Sequence, residues 1–257
     1  MKKKNAVIFK YASRWGLLVL LMLPLLSYIQ KKETTIFLIG DSTVADKPYS
    51  KGNPEKGWGQ VFPLYLQEGV KVENHAVNGR STKSFRDEGR WDKVLQKLKK
   101  GDYVIIEFGH NDQKNQDPSR YAAPETDFRQ NLERYISETR AKGAIPVLAT
   151  PIVRRKFENG SLVDTHGKYP EVVRAVAAKQ NVPLLDLEKR TRELLSRYGE
   201  EKSKALFLHL EPNEYESLPE GRSDDTHLSA YGAFRVSDLV AEEMQTALPE
   251  LAKKLKK

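Results

Sequence analysis

Five short apolar runs, separated by segments of helical spacing, limit the possible folds of this chain more than any other feature. Most of the runs are almost continuously apolar and rich in Val, Ile and Leu, as expected for strands covered on both faces. They are TIFLI (35–39), VKVENHAV (70–77), YVIIEF (103–108), IPVLAT (145–150) and VPLLD (182–186). The alternation of strand and helix predicts an α/β fold with a parallel sheet and helices on both faces.

The segments between these runs carry apolar residues at three- and four-residue spacing, which gives a helix one apolar face. They are WGQVFPLYLQ (58–67), WDKVLQKLKK (91–100), TDFRQNLERYISETRAKG (126–143), LEKRTRELLSRYG (187–199) and a last helix that begins at Ser229. Two longer connections, DPSRYAAPET (117–126) and VRRKFENGSLVDTHGKYP (153–170), follow strand ends. Open α/β sheets bind their ligands at that edge, so both connections are expected to lie near a site.

The N-terminal segment differs in composition from the rest of the chain. MKKKNAVIFKYASR holds five basic and no acidic residues, and it precedes the uncharged run WGLLVLLMLPLLSYI (15–29). That run is shorter than the about 20 residues of a membrane-spanning helix, and Pro24 interrupts it. Residues 1–30 are therefore predicted to be a signal peptide or N-terminal anchor of an exported, periplasmic or secreted protein, with residues 33–257 as a single domain.

The net charge and the absence of cysteine limit which binding partners and which catalytic chemistry this chain can have. Residues 1–30 hold five of the 43 basic residues and none of the 35 acidic ones, so the net charge falls from +8 to +3 without them. A charge of that size gives no reason to expect a nucleic-acid partner. The absence of cysteine excludes disulfides, thiol catalysis and cysteine metal sites. We expect a monomer with no membrane contact beyond the N-terminal segment.

A serine directly follows the first predicted strand, in the stretch FLIGDSTVAD (37–46). Ser42 could cap the following turn, or it could act as a nucleophile if a base lies beside it. In GRSDDTHLSA (221–230), Asp224 lies three residues before His227, just ahead of the last predicted helix. This pair supplies an imidazole base and a carboxylate able to orient it.

Two further strand ends carry groups able to donate hydrogen bonds to a developing oxyanion. Gly79 in VNGRS follows the second run and offers a backbone N–H, and Asn111 in GHND follows the third run and offers a side-chain amide. A parallel sheet brings the carboxyl ends of its strands to one edge. The sequence therefore predicts a serine hydrolase site along that edge.

These segments resemble, in order, the four sequence blocks of the SGNH (GDSL) hydrolase superfamily. The blocks are Gly40-Asp41-Ser42, Gly79 within NGRS, Gly109-His110-Asn111-Asp112 and Asp224-Asp225-Thr226-His227. GDST, GHND and DTHGKYP together resemble its rhamnogalacturonan acetylesterase branch. The resemblance covers residues 34 to about 245 and implies a flavodoxin-like three-layer α/β/α sandwich with a five-stranded parallel sheet.

The resemblance also implies roles and an activity. Ser42 is the implied nucleophile, His227 is its base, and Asp224 is the partner of His227. The implied oxyanion hole consists of the N–H groups of Ser42 and Gly79 and the side chain of Asn111. The implied reaction removes O-acetyl groups from a plant cell-wall polysaccharide or its oligosaccharides through an acetyl-serine, without cofactor or metal. Rhamnogalacturonan is the first candidate substrate, and xylan or a lipid or thioester substrate is the alternative.

Other polar residues near the blocks have two interpretations. Asp41, His110 and His166 are predicted to contact substrate, although hydrogen bonds within their own turns and loops would also explain them. Asp225 is the alternative to Asp224 as partner of His227.

Three arginines could bind the carboxylates of an acidic polysaccharide, or they could be surface arginines without a ligand. They are Arg80, Arg154 and Arg155.

A metal-dependent hydrolase is the main alternative class. Its ligands would come from Asp224, Asp225, His227 and His110. The sequence holds no HExxH motif and no close histidine pair on a helix, and a metal site would leave Ser42 unexplained. A phosphate or nucleotide binder is disfavoured because GDST has a single glycine after the first strand.

Overall fold

A five-stranded parallel sheet lies at the centre of this computed structural model, which describes residues 34–256. The strands are β1 (Thr34–Gly40), β2 (Val70–Asn74), β3 (Tyr103–Glu107), β4 (Ile145–Ala149), β5 (Phe157–Glu158), β6 (Ser161–Leu162), β7 (Leu184–Leu185), β8 (Phe207–Leu210) and β9 (Arg222–Leu228). The sheet order is β2-β1-β3-β4-β7, and every neighbouring pair is parallel. This is the flavodoxin-like order, which reverses between β1 and β3. The predicted fold is confirmed.

Helices connect the strands. They are α1 (Trp58–Val61), α2 (Thr82–Asp87), α3 (Arg90–Lys97), α4 (Arg129–Ala141), α5 (Tyr169–Gln180), α6 (Leu187–Lys202), α7 (Ala230–Ala247) and α8 (Pro249–Ala252). The helix predicted over residues 58–67 is shorter than expected, because the chain tightens into a 3₁₀ turn at Phe62–Tyr65 that contains Pro63. The last helix, α7, begins directly after Ser229, close to the predicted start, and Ser229 caps it by accepting a hydrogen bond from the N–H of Gly232.

The core consists of two apolar clusters, one on each face of the sheet. Alternate residues of β1 belong to different clusters: Ile36 and Leu38 pack in one, Phe37 and Ile39 in the other. This follows from the two-residue period of a strand. Helices cover both faces, so residues 36–39 of the strand are all apolar and buried.

Two antiparallel hairpins were not predicted from the sequence. The pair β5–β6 lies in the long connection after β4, and β8–β9 carries the segment with Asp224 and His227. The loop between β8 and β9 is long and lacks a short hairpin-turn signal, which is why the pattern gave no strand there.

The export segment predicted at residues 1–30 lies outside the described residues. Within residues 34–256, no helix combines the length and apolar character needed to cross a membrane. The limits of the domain at residues 33–257 stay a prediction.

Candidate active site

Strand β1 delivers Ser42 to the carboxyl edge of the sheet, beside the point where the strand order reverses. Gly40 allows this close packing, because a Cβ there would lie 2.6 Å from the carbonyl oxygen of Glu107 and 2.8 Å from Cγ2 of Val44. The chain turns immediately afterwards, with the N–H of Ala45 donating to the carbonyl of Asp41 at 3.0 Å. Ser42 therefore lies on a tight turn over a rigid strand end.

Ser42, His227 and Asp224 form a continuous hydrogen-bonded chain. Oγ of Ser42 lies 3.0 Å from Nε2 of His227, and Nδ1 of the same ring lies 2.8 Å from Oδ2 of Asp224. Oδ1 of Asp224 accepts hydrogen bonds from the backbone N–H groups of Thr226, at 2.8 Å, and His227, at 2.9 Å. These distances are those of a nucleophile, a base and an orienting carboxylate.

The charge of Asp224 is stabilised by its surroundings. Burial by itself would raise its pKa, but the hydrogen bonds from the side chain and backbone of His227 outweigh burial and hold the pKa of Asp224 well below its ordinary value. Arg222 adds an ion pair at 2.9 Å. An ionised Asp224 keeps the proton of His227 on Nδ1, which leaves Nε2 free to accept the proton of Ser42.

The neighbouring Asp225 makes a different set of contacts. Its Oδ1 lies 2.8 Å from Nη1 of Arg155 and 2.8 Å from Nε2 of His209, and its backbone carbonyl accepts from the N–H of Arg155 at 2.8 Å. Arg155 is buried and also donates to Ser203. The geometry thus selects Asp224, and not Asp225, as the partner of His227.

Three hydrogen-bond donors belong to residues that line the same cleft as the hydroxyl of Ser42. Gly79 adopts the left-handed conformation, with φ of 76°. Within residues 34–256, neither the N–H of Gly79 nor that of Ser42 has a hydrogen-bond acceptor. The amide of Asn111 donates one N–H to the carbonyl of Arg80 at 3.1 Å, which leaves its second N–H available. Gly79, Asn111 and Ser42 line the same cleft, as an oxyanion hole requires.

A hydrogen-bonded chain of side chains lies below Ser42. The hydroxyl of Thr43 lies 2.9 Å from Oδ1 of Asp41 and 3.1 Å from Oε1 of Glu107, and Nε1 of Trp58 donates to the other Glu107 oxygen at 2.5 Å. Burial and the Asp41 carboxylate raise the pKa of Glu107 to about 8. A protonated Glu107 donates to Thr43, whose single hydroxyl proton then goes to Asp41.

Asp41 is the ionised member of this buried group. Burial would raise its pKa, but the His110 imidazole and the hydrogen bonds from Thr43 outweigh burial and lower the pKa of Asp41 to about 2. Nδ1 of His110 lies 3.3 Å from Oδ2 of Asp41. Burial also lowers the pKa of His110, so this imidazole is neutral at pH 7.

The site opens into a cleft of about 450 Å³ with a largely polar wall. Its lining residues are Ser42, Glu55, Asn78, Gly79, His110, Asn111, Lys114, Arg154, Arg222, Thr226 and His227. Ser42 is 8% exposed, so the cleft gives its hydroxyl access to an ester.

Of the three residues predicted to contact substrate, the structure places only His110 in the cleft wall. Asp41 and His166 differ from that expectation, because they are buried, with 0% and 2% exposure. His166 is held by the carbonyl of Ile152 at 2.8 Å and by Gln113 at 3.1 Å, and its ring packs edge-on against His110 at 4.7 Å. Asp41 and His166 thus both contact the ring of His110.

The three arginines predicted to bind carboxylates lie in different surroundings. Arg80 pairs with Glu88 at 3.0 Å, and Arg155 is buried against Asp225. Arg154 alone of the three lines the cleft. Among residues 34–256, no group of three or more His, Cys, Asp or Glu side chains is arranged to hold a metal ion.

The sequence analysis missed Lys114, Arg222 and Glu55 in the cleft wall. Lys114 follows GHND by two residues, and Arg222 precedes Asp224 by two, so closeness to the blocks was the available signal. For Glu55 the sequence offers no signal, since its position depends on its bridge to Ser229, far along the chain.

Comparison with known proteins agrees with this geometry. Residues 38–233 match the sequence model of the GDSL-like lipase/acylhydrolase family. The chain belongs to this family. The predicted SGNH (GDSL) resemblance and the prediction of an ester hydrolase are therefore confirmed.

Similar proteins within this acylhydrolase group include two from Bacillus subtilis (strain 168). The rhamnogalacturonan acetylesterase RhgT is 44% identical over 84% of this chain and 92% of its own length. The probable rhamnogalacturonan acetylesterase YesY is 36% identical over 80% of this chain and 90% of its own length. The crystal structure of YxiM, from Bacillus subtilis, has a TM-score of 0.70 and 26% identity, covering 83% of this chain and 56% of that one.

Proposed function

We propose that this protein is an exported serine esterase that removes O-acetyl groups from rhamnogalacturonan through an acetyl-serine. The observation that carries the proposal is the chain Ser42 Oγ–His227 Nε2–Asp224, with distances of 3.0 Å and 2.8 Å. The proposal is supported by a family of acylhydrolases and by similar proteins named as rhamnogalacturonan acetylesterases. Export is supported by the basic and then apolar composition of residues 1–30.

In the acylation step, Oγ of Ser42 attacks the acetyl carbonyl carbon while its proton passes to Nε2 of His227. Asp224 stabilises the resulting imidazolium. Negative charge develops on the carbonyl oxygen, where the N–H groups of Ser42 and Gly79 and the amide of Asn111 can donate to it. The tetrahedral intermediate collapses as His227 returns the proton to the sugar oxygen, which leaves as an alcohol.

Deacylation repeats these movements with water in place of Ser42. His227 takes a proton from a water molecule in the cleft, and the hydroxide formed attacks the acetyl-serine carbonyl. The same donors hold the second oxyanion. Collapse releases acetate, and the proton returns from His227 to Oγ of Ser42.

The character of the cleft supports a carbohydrate substrate. Its wall is rich in charged and amide side chains such as Asn78, Lys114 and Arg222. Such a wall offers hydrogen bonds to sugar hydroxyls, whereas a long acyl chain would require an apolar groove. A sugar acetate therefore fits this cleft better than a lipid ester does.

The substrate is tested by measuring acetate release from acetylated rhamnogalacturonan and acetylated xylan side by side. Wild type and Ser42→Ala are compared, with and without a chelator. The expected result is release from the pectic polymer that depends on Ser42 and resists the chelator. Release from xylan alone would contradict the substrate, and release that the chelator abolishes would contradict the serine mechanism.

Export is tested separately with the full-length chain. The protein is expressed in a bacterium, the cytoplasm is separated from the periplasm and medium, and the N-terminus of the mature protein is sequenced. We expect the protein outside the cytoplasm, and full retention in the cytoplasm would contradict export.

A further inference from the structure

We propose that Lys114 and Arg154 bind the carboxylate of a uronic acid in the substrate, and so make the enzyme selective for acidic glycans. This inference rests on the proposed function and deepens it. Both side chains line the cleft that holds Ser42 and His227. A carboxylate bound to them would therefore lie in the same sugar chain as the acetyl ester under attack.

Lys114 contributes one positive charge to the wall of the cleft. Within residues 34–256, its ammonium group makes no hydrogen bond and no ion pair. It lies in the turn after Asn111, where its backbone N–H donates to the Asn111 carbonyl at 3.2 Å. A lysine held at the cleft by its backbone, with its ammonium group in no ion pair, is suited to an anionic ligand.

Arg154 is a second cation in the same wall that forms no ion pair within residues 34–256. Its guanidinium donates to two backbone carbonyls, that of His110 at 3.2 Å and that of Thr165 at 3.3 Å, and it pairs with no carboxylate in the described chain. These bonds fix the side chain without neutralising it. A fixed guanidinium loses little freedom on binding, and its planar donors match the two oxygens of a carboxylate.

Arg222, a third cation in the wall of the cleft, differs from these two because it forms ion pairs. Arg222 pairs with Asp224 at 2.9 Å and with Glu55 at 3.7 Å. Glu55 in turn pairs with Lys47 at 2.8 Å. The acidic side chains of that wall are thus already paired, and Arg222 has its charge balanced.

The remaining charged groups near Lys114 and Arg154 offset their charge only in part. Asp41 is buried below the cleft, and its carboxylate attracts both cations without forming an ion pair with either. Asp117 forms its ion pair with Arg120 at 2.6 Å. The side of the cleft that carries Lys114 and Arg154 therefore has an excess of positive charge, which favours an anionic sugar over a neutral one.

Two small substrates that differ in one group test the proposal. The first is an O-acetylated methyl galactopyranosiduronate, and the second is the matching O-acetylated methyl galactopyranoside, which carries CH₂OH in place of the carboxylate. The measured quantity is the ratio of kcat/KM for the charged substrate to that for the neutral one. In wild type we expect a ratio well above one, which falls as salt is added.

Lys114→Met should lower that ratio by about 10-fold to 100-fold, the range for one hydrogen bond to a charged group. The loss should appear mainly as a higher KM for the charged substrate. Arg154→Gln keeps one donor for the carbonyls that Arg154 holds, and it should lower the ratio in the same direction. The matched control is Lys93→Met, which removes an exposed lysine that does not line the cleft and should keep the wild-type ratio.

Three outcomes would overturn the proposal. A wild-type ratio near one, or an unchanged ratio in Lys114→Met, would show that these cations do not bind a uronate. A change confined to inhibition by added acetate would assign them to the product instead. Failure of the proposed function itself is distinct, because wild type would then release no acetate from either sugar while still hydrolysing p-nitrophenyl acetate.

Discussion

Asp112 accepts two hydrogen bonds from Thr82, one from its backbone N–H at 2.9 Å and one from its hydroxyl at 2.5 Å. Gly79 lies three residues before Thr82, and Asn111 directly precedes Asp112. This contact therefore joins the two turns that carry oxyanion donors, one after β2 and one after β3. Asp112 and Thr82 are both fully buried, so the contact lies in the protein interior, and this burial raises the pKa of Asp112 to about 7.

Replacement of Asn111 by Ala should lower kcat by about 10²-fold to 10³-fold, because one oxyanion donor is lost. KM should change little, since the amide acts mainly on charge that develops in the transition state. The measurement is steady-state kinetics on an acetyl ester, with the melting temperature recorded to show that the fold is kept. A raised KM with normal kcat would place Asn111 in ground-state binding instead.

Replacement of Ser42 by Ala should lower kcat on the order of 10⁶-fold, because the nucleophile is removed. The protein should remain folded, since the change deletes one hydroxyl from a turn that other groups hold. Hydrolysis of p-nitrophenyl acetate and the far-UV circular dichroism spectrum check both expectations. A folded variant with near wild-type turnover would refute the assignment of Ser42.

Asp224 and Asp225 are neighbours in the sequence, so their substitutions by Asn form a matched pair of variants. Asp224→Asn should lower kcat by about 10⁴-fold, because the amide favours the wrong tautomer of His227, and His227→Ala should cost still more. Asp225→Asn should act mainly on the melting temperature, since Asp225 binds Arg155 and His209 and does not contact His227. If Asp225→Asn lost more activity than Asp224→Asn, the orienting role would belong to Asp225.

Glu107 should make stability depend on pH. Its pKa is raised by burial and by Asp41 from 4.5 to about 8, so the folded state keeps the proton over a range in which the unfolded chain loses it. This difference of one bound proton between the folded and the unfolded state lowers the free energy of unfolding by up to about 1.4 kcal/mol per pH unit as pH rises through that range.

The test compares wild type with Glu107→Gln by urea unfolding between about pH 5 and pH 8. The variant cannot titrate at this position, so its free energy of unfolding relative to wild type should rise with pH. The difference between the two proteins cancels the contribution of other groups, such as Asp112. A difference that is constant or falls with pH would show that Glu107 is ionised in the folded state.

Strand ends were more predictable from the sequence than the contacts made there. The segment TIFLI gave β1, and its end gave the position of Ser42, because apolar periodicity and turn residues act locally. The hairpin β8–β9 could not be predicted, since its pairing joins Leu208 to Asp224 across a long loop. The buried place of His166 likewise depends on Ile152 and Gln113, which no local pattern connects to it.

The sequence by itself determined the α/β class, the edge of the sheet that carries the site and some of the residues gathered there, Ser42, Asn111 and His227 among them. The tertiary structure alone decided that Asp224 faces His227 while Asp225 faces Arg155, and that Arg154 and Lys114 form no ion pair within residues 34–256. Backbone elements follow from local spacing and propensity. The direction and pairing of a side chain depend on groups brought together from distant parts of the chain, and these are defined only when the fold is complete.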